Sequence, residues 1–182
     1  MEATARILVK EGFDKASTNR IAEKAGVSIG SLYQYFPSKE ALVIAVIERH
    51  TRELMQVARA ALAEVATLPV EQAVRRLVAA AIAAHRVDPR LHRVLSEQIP
   101  RTGRLGEIEI FNREFYALFR AYLENHRNEL RSVDLELAAF MCVTAIEALT
   151  HTAVLYRPEM LSDDGAEALV DEATRLVTRY LR

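Results

Sequence analysis

The chain has 182 residues, of which 51% are hydrophobic and 27% are charged, with a formal net charge of −1 at pH 7. This composition is typical of a globular protein of one domain or two small ones, and it argues against a disordered chain. A net charge near zero also argues against a protein that coats nucleic acid over its whole surface.

The sequence lacks the usual marks of membrane insertion and of export. No apolar run reaches about 18 residues without a charge, so we expect no transmembrane helix, and the N-terminus shows no signal-peptide pattern. Cys142 is the only cysteine, which excludes an intrachain disulfide and fits a reducing compartment. We therefore expect a cytoplasmic protein in which Cys142 is a buried structural thiol.

Apolar residues recur at helical spacing along the chain, and no alternating strand pattern of useful length is present. The pattern predicts an all-α fold of nine helices, at about residues 4–11, 18–25, 28–36, 38–66, 69–87, 90–99, 105–130, 134–155 and 163–181. Gly12 and Pro100 are expected to end the first and sixth helices, and residues 101–104 are expected to form a loop. We place a domain boundary inside the fourth helix, which separates residues 1–46 from residues 47–182.

The second and third helices form a compact motif. Thr18 is expected to cap the second helix, and Gly26 to end it in a left-handed conformation. Ser28 is expected to cap the third helix, which Pro37 stops. Two short helices joined by a tight turn are typical of a helix-turn-helix, whose second helix lies in the major groove of DNA.

The same segment resembles the DNA-binding signature of the TetR family of bacterial regulators. The matching residues are Ile21-Ala22, Ala25-Gly26-Val27-Ser28, Gly30, Leu32-Tyr33, Phe36, Lys39 and Leu42. The resemblance extends from about Ile7 to Ala45 without a gap, and is looser beyond residue 50. It implies an all-helical homodimer with N-terminal DNA-binding heads and a larger C-terminal domain that dimerises and binds a small molecule. Because Met1 falls inside the first helix of that pattern, we expect no basic N-terminal arm.

The motif also predicts which residues contact DNA. Gln34 is the best candidate for reading a base, because its amide can pair with adenine N6 and N7. Residues 15–39 carry four basic residues against Glu23 alone, which favours phosphate at this end of the protein. The alternative is that Tyr33 only packs within the DNA-binding head, residues 1–46, and that the Lys39 side chain is merely solvated. The predicted DNA-binding residues are Thr18, Asn19, Ser28, Ile29, Gly30, Ser31, Tyr33, Gln34, Tyr35 and Lys39.

The remainder of the chain contains no catalytic motif, no phosphate loop and no paired metal motif. The five histidines lack metal-ligand spacing, and we expect neither a cofactor nor a metal. Glu147 and His151 lie four residues apart on one helix face, where they can bind a ligand or a metal, or hydrogen-bond across a core or dimer interface. The predicted ligand-pocket residues are His92, Phe111, Asn112, Phe115, Tyr116, Met141, Glu147 and His151.

The last two helices are apolar enough to need a partner, so we expect them to pair across a two-fold axis as a four-helix bundle. The predicted interface residues are Leu149, Leu169, Ala173, Leu176, Val177 and Tyr180. These features predict a ligand-responsive transcription regulator, a repressor that releases a pseudo-palindromic operator when a small molecule binds. Its partners would be double-stranded DNA, a second copy and the effector, without a membrane. The alternatives are a helical-bundle enzyme and a DNA-binding protein without a ligand.

Overall fold

The computed structural model describes the backbone of residues 1–102 and 105–182, and the side chains of residues 1–98 and 113–182. Every regular element in these ranges is helical, which confirms the predicted fold class. The α-helices are α1 Glu2–Lys15, α2 Thr18–Ala25, α3 Ile29–Tyr35, α4 Lys39–Glu64, α5 Val70–Arg86, α6 Pro89–Thr102, α7 Leu105–Asn125, α8 Leu135–Tyr156 and α9 Asp163–Leu181. Short 3-10 turns follow α7 and α8, at Arg127–Glu129 and Pro158–Leu161.

The caps of α2 agree with the prediction at one end only. Gly26 has φ 70° and ψ 29°, the left-handed conformation that ends a helix. The prediction that Thr18 is the N-cap is wrong, because Ser17 holds that position and its hydroxyl accepts a bond from the N–H of Arg20 at 3.4 Å. Thr18 is therefore the first residue of α2, and its hydroxyl makes a tertiary contact instead.

Two other helix boundaries differ from the sequence pattern. α1 continues to Lys15, although Gly12 interrupts it with φ 76° and ψ 172° as the predicted break requires. α7 ends at Asn125, five residues before the predicted end at Leu130. The reason is local: Nδ1 of His126 bonds to the carbonyl of Tyr122 at 3.0 Å, and the N–H of His126 turns to the carbonyl of Leu123 at 3.1 Å. This tightens the last turn and ends the α-helix.

The sixth helix is longer than predicted, because its backbone continues past residue 100 to Thr102. Proline removes one backbone donor and disfavours a helix interior, but tertiary packing can override that cost. Leu91 and Leu95 anchor α6 in a hydrophobic core and supply such packing. Of the predicted loop 101–104, the first two residues are helical, and residues 103–104 lie outside the described residues.

The chain divides into two compact units. The first unit comprises Met1–Glu53 and Asp88–Gly106, and the second comprises Leu54–Val87 and Glu107–Arg182. α4 contributes residues to both units. The sequence-based division at residues 46 and 47 differs from this one, because it assigned α6 to the second part whereas α6 packs in the first unit.

The first unit is held by apolar side chains from α1, α2, α3, the start of α4 and α6. Burial of each large aliphatic side chain contributes about 1.5–3 kcal/mol. Those almost inaccessible to solvent are Leu8, Ile21, Leu42, Val43, Val46 and Leu95. α2 and α3 are too short to be stable alone, so this core is what positions them.

The second unit has a separate core formed by α5, α7, α8 and α9. Its most buried side chains include Val70, Val74, Phe119, Leu123 and Leu181. Cys142 lies in this core with 2% of its surface exposed, which confirms the prediction of a buried thiol. Burial raises the pKa of Cys142 to about 12, so the group stays a thiol at neutral pH and is poorly nucleophilic.

α8 is long and apolar enough to cross a membrane by length and composition alone, although the core helix of a soluble protein passes the same test. In its most apolar 18-residue window, 44% of the residues are buried within the chain. Several large apolar side chains of α8 remain exposed on the other side, namely Leu137, Phe140, Met141 and Leu149. The chain itself therefore covers only one side of this helix.

Candidate functional site

The helix-turn-helix is built around one inward-facing residue of α3. Leu32 is the only residue of α3 that is buried, and it packs in the first unit's core with Ile21 and Ala22 of α2. Ser28 caps α3, because its hydroxyl accepts a bond from the N–H of Ser31 at 3.0 Å. This arrangement fixes α3 through one side and leaves its remaining surface available to a partner.

The residues predicted to contact DNA lie on that outer surface. Tyr35 is 79% exposed and Tyr33 is 48% exposed. A Cβ added at Gly30 would meet only the Ser28 hydroxyl, at 3.9 Å, so the fold itself does not require glycine there. Exposed with them are Asn19, Ser28, Ile29, Ser31 and Gln34.

A hydroxyl pair links the two helices of the motif. Oγ1 of Thr18 lies 3.0 Å from the hydroxyl of Tyr33, so the start of α2 is tied to the exposed side of α3. Each hydroxyl has one proton to donate, and this bond uses one of the two, so the accepting hydroxyl keeps its proton for a phosphate oxygen. Tyr33 therefore has a structural role in the head as well as an exposed ring.

Lys39 is bound within the head rather than merely solvated. Its Nζ donates to the carbonyl oxygen of Phe13 at 2.9 Å and lies 4.2 Å from the centroid of the Phe13 ring. Lys39 is the first residue of α4, and Ser38 caps that helix by accepting a bond from the N–H of Ala41 at 3.1 Å. The lysine thus fastens the end of α1 to the start of α4 while its ammonium keeps further donors for phosphate.

The basic residues of the head are only partly available to DNA. Arg20 forms an ion pair with Glu11, which the sequence pattern did not indicate. Lys15 and Lys24 are exposed. The positive charge predicted for residues 15–39 is therefore balanced in part by an acidic residue just outside that window.

The residues predicted to line a ligand pocket are divided between the two compact units. His92 belongs to the first unit, where it is buried and its Nδ1 lies 2.9 Å from Nε2 of His50. Burial lowers the pKa of His50, with Glu53 and Asp88 acting in the opposite direction. The side chains of Phe111 and Asn112 lie outside the described residues, and Met141 is exposed.

The other four predicted pocket residues lie in the second unit, on α7 and α8. Phe115 packs against the core, and the hydroxyl of Tyr116 lies 3.1 Å from Oγ1 of Thr144. Glu147 and His151 are half-buried. Burial raises the pKa of the Glu147 carboxyl and lowers the pKa of the His151 imidazole.

His85 of α5 is a further residue of this region, and sequence reasoning missed it. A ring nitrogen of His85 and one of His151 lie within 4.8 Å of each other. The two histidines are far apart in sequence, and only the packing of α5 against α8 brings them together. No spacing rule along the chain indicates such a pair.

The predicted dimer residues fall into two groups. Leu176 is 55% exposed and Leu149 is also exposed, so both can meet a partner. Ala173 and Val177 are buried in the protomer's own core and cannot present their side chains to a second copy. Leu169 and Tyr180 are half-buried at the edge of that core. Helical periodicity placed all of them on one stripe but did not tell which side of α9 the protomer covers.

A short exposed helix anchored by one leucine and fixed to a capped partner helix is the arrangement of helix-turn-helix DNA-binding proteins. Comparison with known families agrees with this class. Residues 1–46 match the model described as bacterial regulatory proteins, tetR family, and residues 69–181 match the tetracyclin repressor-like C-terminal domain. The second match alone covers more than half of the chain. The chain belongs to the TetR family of bacterial regulators, which are not enzymes.

Individual relatives match over about a third of the chain. The chain is 42% identical over 60 residues to the transcriptional activator FasR of Mycolicibacterium smegmatis, and 38% identical over 64 residues to the transcriptional repressor KstR of the same organism. These matches cover 33% and 35% of this chain but only 27% and 31% of the relatives.

The fold, in contrast, is shared over the whole chain. The crystal structure of the transcriptional regulator FadR from Bacillus subtilis in complex with stearoyl-CoA superimposes with a TM-score of 0.73 at 17% identity. That alignment covers 100% of this chain and 97% of FadR. At this level of identity the likeness concerns the fold alone.

Proposed function

We propose that this chain is a cytoplasmic, homodimeric transcriptional regulator that binds double-stranded operator DNA through α3. The observation that carries the proposal is that α3 buries Leu32 and exposes the rest of its length, including Gln34 and both tyrosines. A helix presented in this way fits the major groove, where Gln34 can read adenine. The basic and hydroxyl side chains around it supply phosphate contacts that fix the register.

The exposed apolar side chains of the second unit support dimerisation. α8 presents Leu137, Phe140 and Met141 to solvent, and α9 presents Leu176. A soluble protein rarely leaves such a surface uncovered, and a second copy related by a two-fold axis would cover it with the same residues. Two heads related by that axis would bind a pseudo-palindromic operator with half-sites about one DNA turn apart.

We further propose that a small molecule bound to the second unit controls operator affinity, and that the protein acts as a repressor. The relatives include a repressor and an activator, and the FadR neighbour was crystallised with stearoyl-CoA. An effector can release DNA only by binding the DNA-free state more tightly than the DNA-bound state. A tenfold loss of operator affinity requires about 1.4 kcal/mol of such coupling.

The DNA-binding proposal is tested by selection of fragments from genomic DNA on the purified chain, followed by fluorescence anisotropy on the enriched sequence. We expect a pseudo-palindromic motif and a salt-dependent affinity that exceeds the affinity for scrambled duplex about a thousandfold or more. Recovery of fragments without a common motif, with equal affinity for scrambled duplex, would refute a sequence-specific regulator.

The effector proposal needs a separate measurement on the same operator. Stearoyl-CoA, free stearate and coenzyme A are titrated into the protein–operator complex. Release by the thioester alone would assign an acyl-CoA effector, and release by none of the three would remove this ligand class. Transcription from the operator in a reconstituted system, with and without the protein, then decides between repression and activation.

A further inference from the structure

Exposed apolar side chains are concentrated around α3 in the first unit. In the described part of that unit, the large apolar side chains that are exposed are Met1, Val27, Ile29, Tyr33 and Tyr35. All of them except Met1 lie within residues 27–35. Contacts with phosphate and with adenine use polar groups, so they do not account for this apolar surface.

The two tyrosines carry hydroxyls that account for their exposure, whereas Val27 and Ile29 have no polar group. The Tyr33 hydroxyl lies 3.0 Å from Oγ1 of Thr18, and tyrosine hydroxyls can also reach phosphate. Val27 is 45% exposed in the turn after Gly26, and Ile29 is 37% exposed as the first residue of α3. Both are β-branched, so their side chains have few rotamers and form a stiff apolar surface.

The polar side chains next to Ile29 are bound to each other. The Ser28 hydroxyl accepts a bond from the N–H of Ser31, and the two serine hydroxyls lie 2.8 Å apart. One of their two protons is used in that contact, so only one is left to donate outwards. Gly30 has no side chain that could shield Ile29 from a bound molecule. The start of α3 therefore presents a largely apolar surface.

An apolar surface at this place matches one chemical group of DNA. Residues at the start of a recognition helix contact base edges in the major groove. Those edges present hydrogen-bonding groups and one apolar group, the C5-methyl of thymine. An aliphatic side chain placed against a polar edge would leave a donor or an acceptor unpaired, whereas against the methyl it removes two apolar surfaces from water.

We propose that Val27 and Ile29 bind the C5-methyl groups of thymines in the operator and so select T at defined positions of each half-site. This inference rests on the proposed function, because it concerns the same helix in the same groove. Ile29 and Gln34 are separated by about 7.5 Å along a helix axis, and successive base pairs by about 3.4 Å. The thymine bound by Ile29 should therefore lie about two base pairs from the adenine that Gln34 reads.

The test removes the methyl group from DNA without changing the base pair. The operator selected on the purified chain is synthesised with deoxyuridine in place of one thymidine at a time, and its affinity is measured by fluorescence anisotropy. Loss of one buried methyl group corresponds to about a fourfold loss of affinity. We expect this loss at the thymines that Val27 and Ile29 contact, and no change at the other thymines.

Alanine variants assign each methyl group to a side chain. Val27→Ala and Ile29→Ala change exposed positions, where substitutions affect stability little, so both variants should fold. Each should bind the thymine operator about fourfold more weakly or worse, and should no longer respond to deoxyuridine at the thymine it contacts. Val57→Ala is the matched control, because Val57 is 43% exposed on α4 but lies in the second unit. It should bind both forms of the operator as the parent does.

The outcomes distinguish failure of this inference from failure of the proposed function. A parent chain that binds its operator specifically but is insensitive to deoxyuridine at every position would overturn the inference and leave the DNA-binding proposal intact. The inference also fails if deoxyuridine has the same effect in both alanine variants as in the parent, because another side chain then contacts the methyl. A chain that enriches no common motif refutes the regulator itself. Circular dichroism of the variants separates loss of a contact from loss of the fold.

Discussion

Replacement of Lys39 by methionine tests whether one residue both stabilises the head and contacts DNA. The side chain keeps its length and apolar stem but loses the ammonium that bonds to the Phe13 carbonyl at 2.9 Å and lies 4.2 Å from the Phe13 ring. Phe13 belongs to the end of α1, and Lys39 begins α4. The substitution therefore removes the direct link between these two helix ends.

The magnitude follows from the two contacts. A net hydrogen bond contributes about 0.5–1.5 kcal/mol, and a cation–π contact at a partly exposed site contributes about 0.5–1 kcal/mol. We expect Lys39→Met to lower the free energy of unfolding by about 1–2.5 kcal/mol. Urea denaturation of the full chain, followed by circular dichroism, measures this change as a shift of the midpoint at constant slope.

DNA binding gives the second readout. Loss of one phosphate contact per head should reduce the slope of log affinity against log salt by about 0.9 per head, or about two per dimer. Operator and scrambled duplex should weaken to the same extent, because a phosphate contact carries no sequence information. An unchanged urea midpoint would show that the contact with Phe13 does not stabilise the head, and an unchanged salt slope would show that Lys39 does not reach DNA.

Lys24→Met is the matched control for both readouts. Lys24 carries the same charge in the last turn of α2, is exposed, and has no hydrogen-bond or ion-pair partner in the described part of the chain. We expect its replacement to leave the free energy of unfolding within about 0.5 kcal/mol of the parent. A loss of stability equal to that of Lys39→Met would mean that net charge, and not the bond to Phe13, determines the effect.

Further predictions concern the head and the dimer. Gly30→Ala should keep or slightly raise stability, by up to about 1 kcal/mol from helix propensity, yet weaken operator binding in anisotropy because the methyl group points away from the core. Gln34→Ala should cost about 1–3 kcal/mol on the operator with little change on scrambled DNA; equal losses on both would exclude base reading. Leu176→Asp should convert dimer to monomer in sedimentation, whereas Val87→Asp, also exposed, should not. Burial lowers the pKa of His50, so as the pH falls below about 6.5 the imidazole is protonated in the unfolded chain before it is protonated in the folded one, and folding loses stability. His50→Gln removes this group and should therefore reduce the loss of stability on acidification.

The parts of the head that the sequence predicted correctly are those governed by local backbone chemistry. Gly26 is left-handed because that residue type tolerates the conformation, and Ser28 caps α3 because its hydroxyl reaches an unpaired N–H. The choice between Ser17 and Thr18 as the cap of α2 was missed, since both residue types cap helices well. A tertiary contact decides it, because the Thr18 hydroxyl bonds to Tyr33 instead.

The location of α6 was not predictable from its own residues. Leu91 and Leu95 lie four residues apart, so they share one face of the helix. The pattern does not name the surface that covers this side. In the structure that surface is the core of the first unit, and His92, predicted as a pocket residue, pairs there with His50.

The same limit explains why the predicted dimer interface was only partly right in its residues. An apolar stripe at helical spacing indicates that one face of a helix is buried. The stripe is the same whether that face packs against the protomer's own core or against a second copy. On α9, Val177 is covered by the protomer to 2% exposure, while its neighbour Leu176 is left at 55%. Aspartate at position 177 would therefore disrupt the core of each protomer, and only aspartate at position 176 reports on the contact between protomers. The burial in the protomer must be known before a substitution can separate folding from assembly.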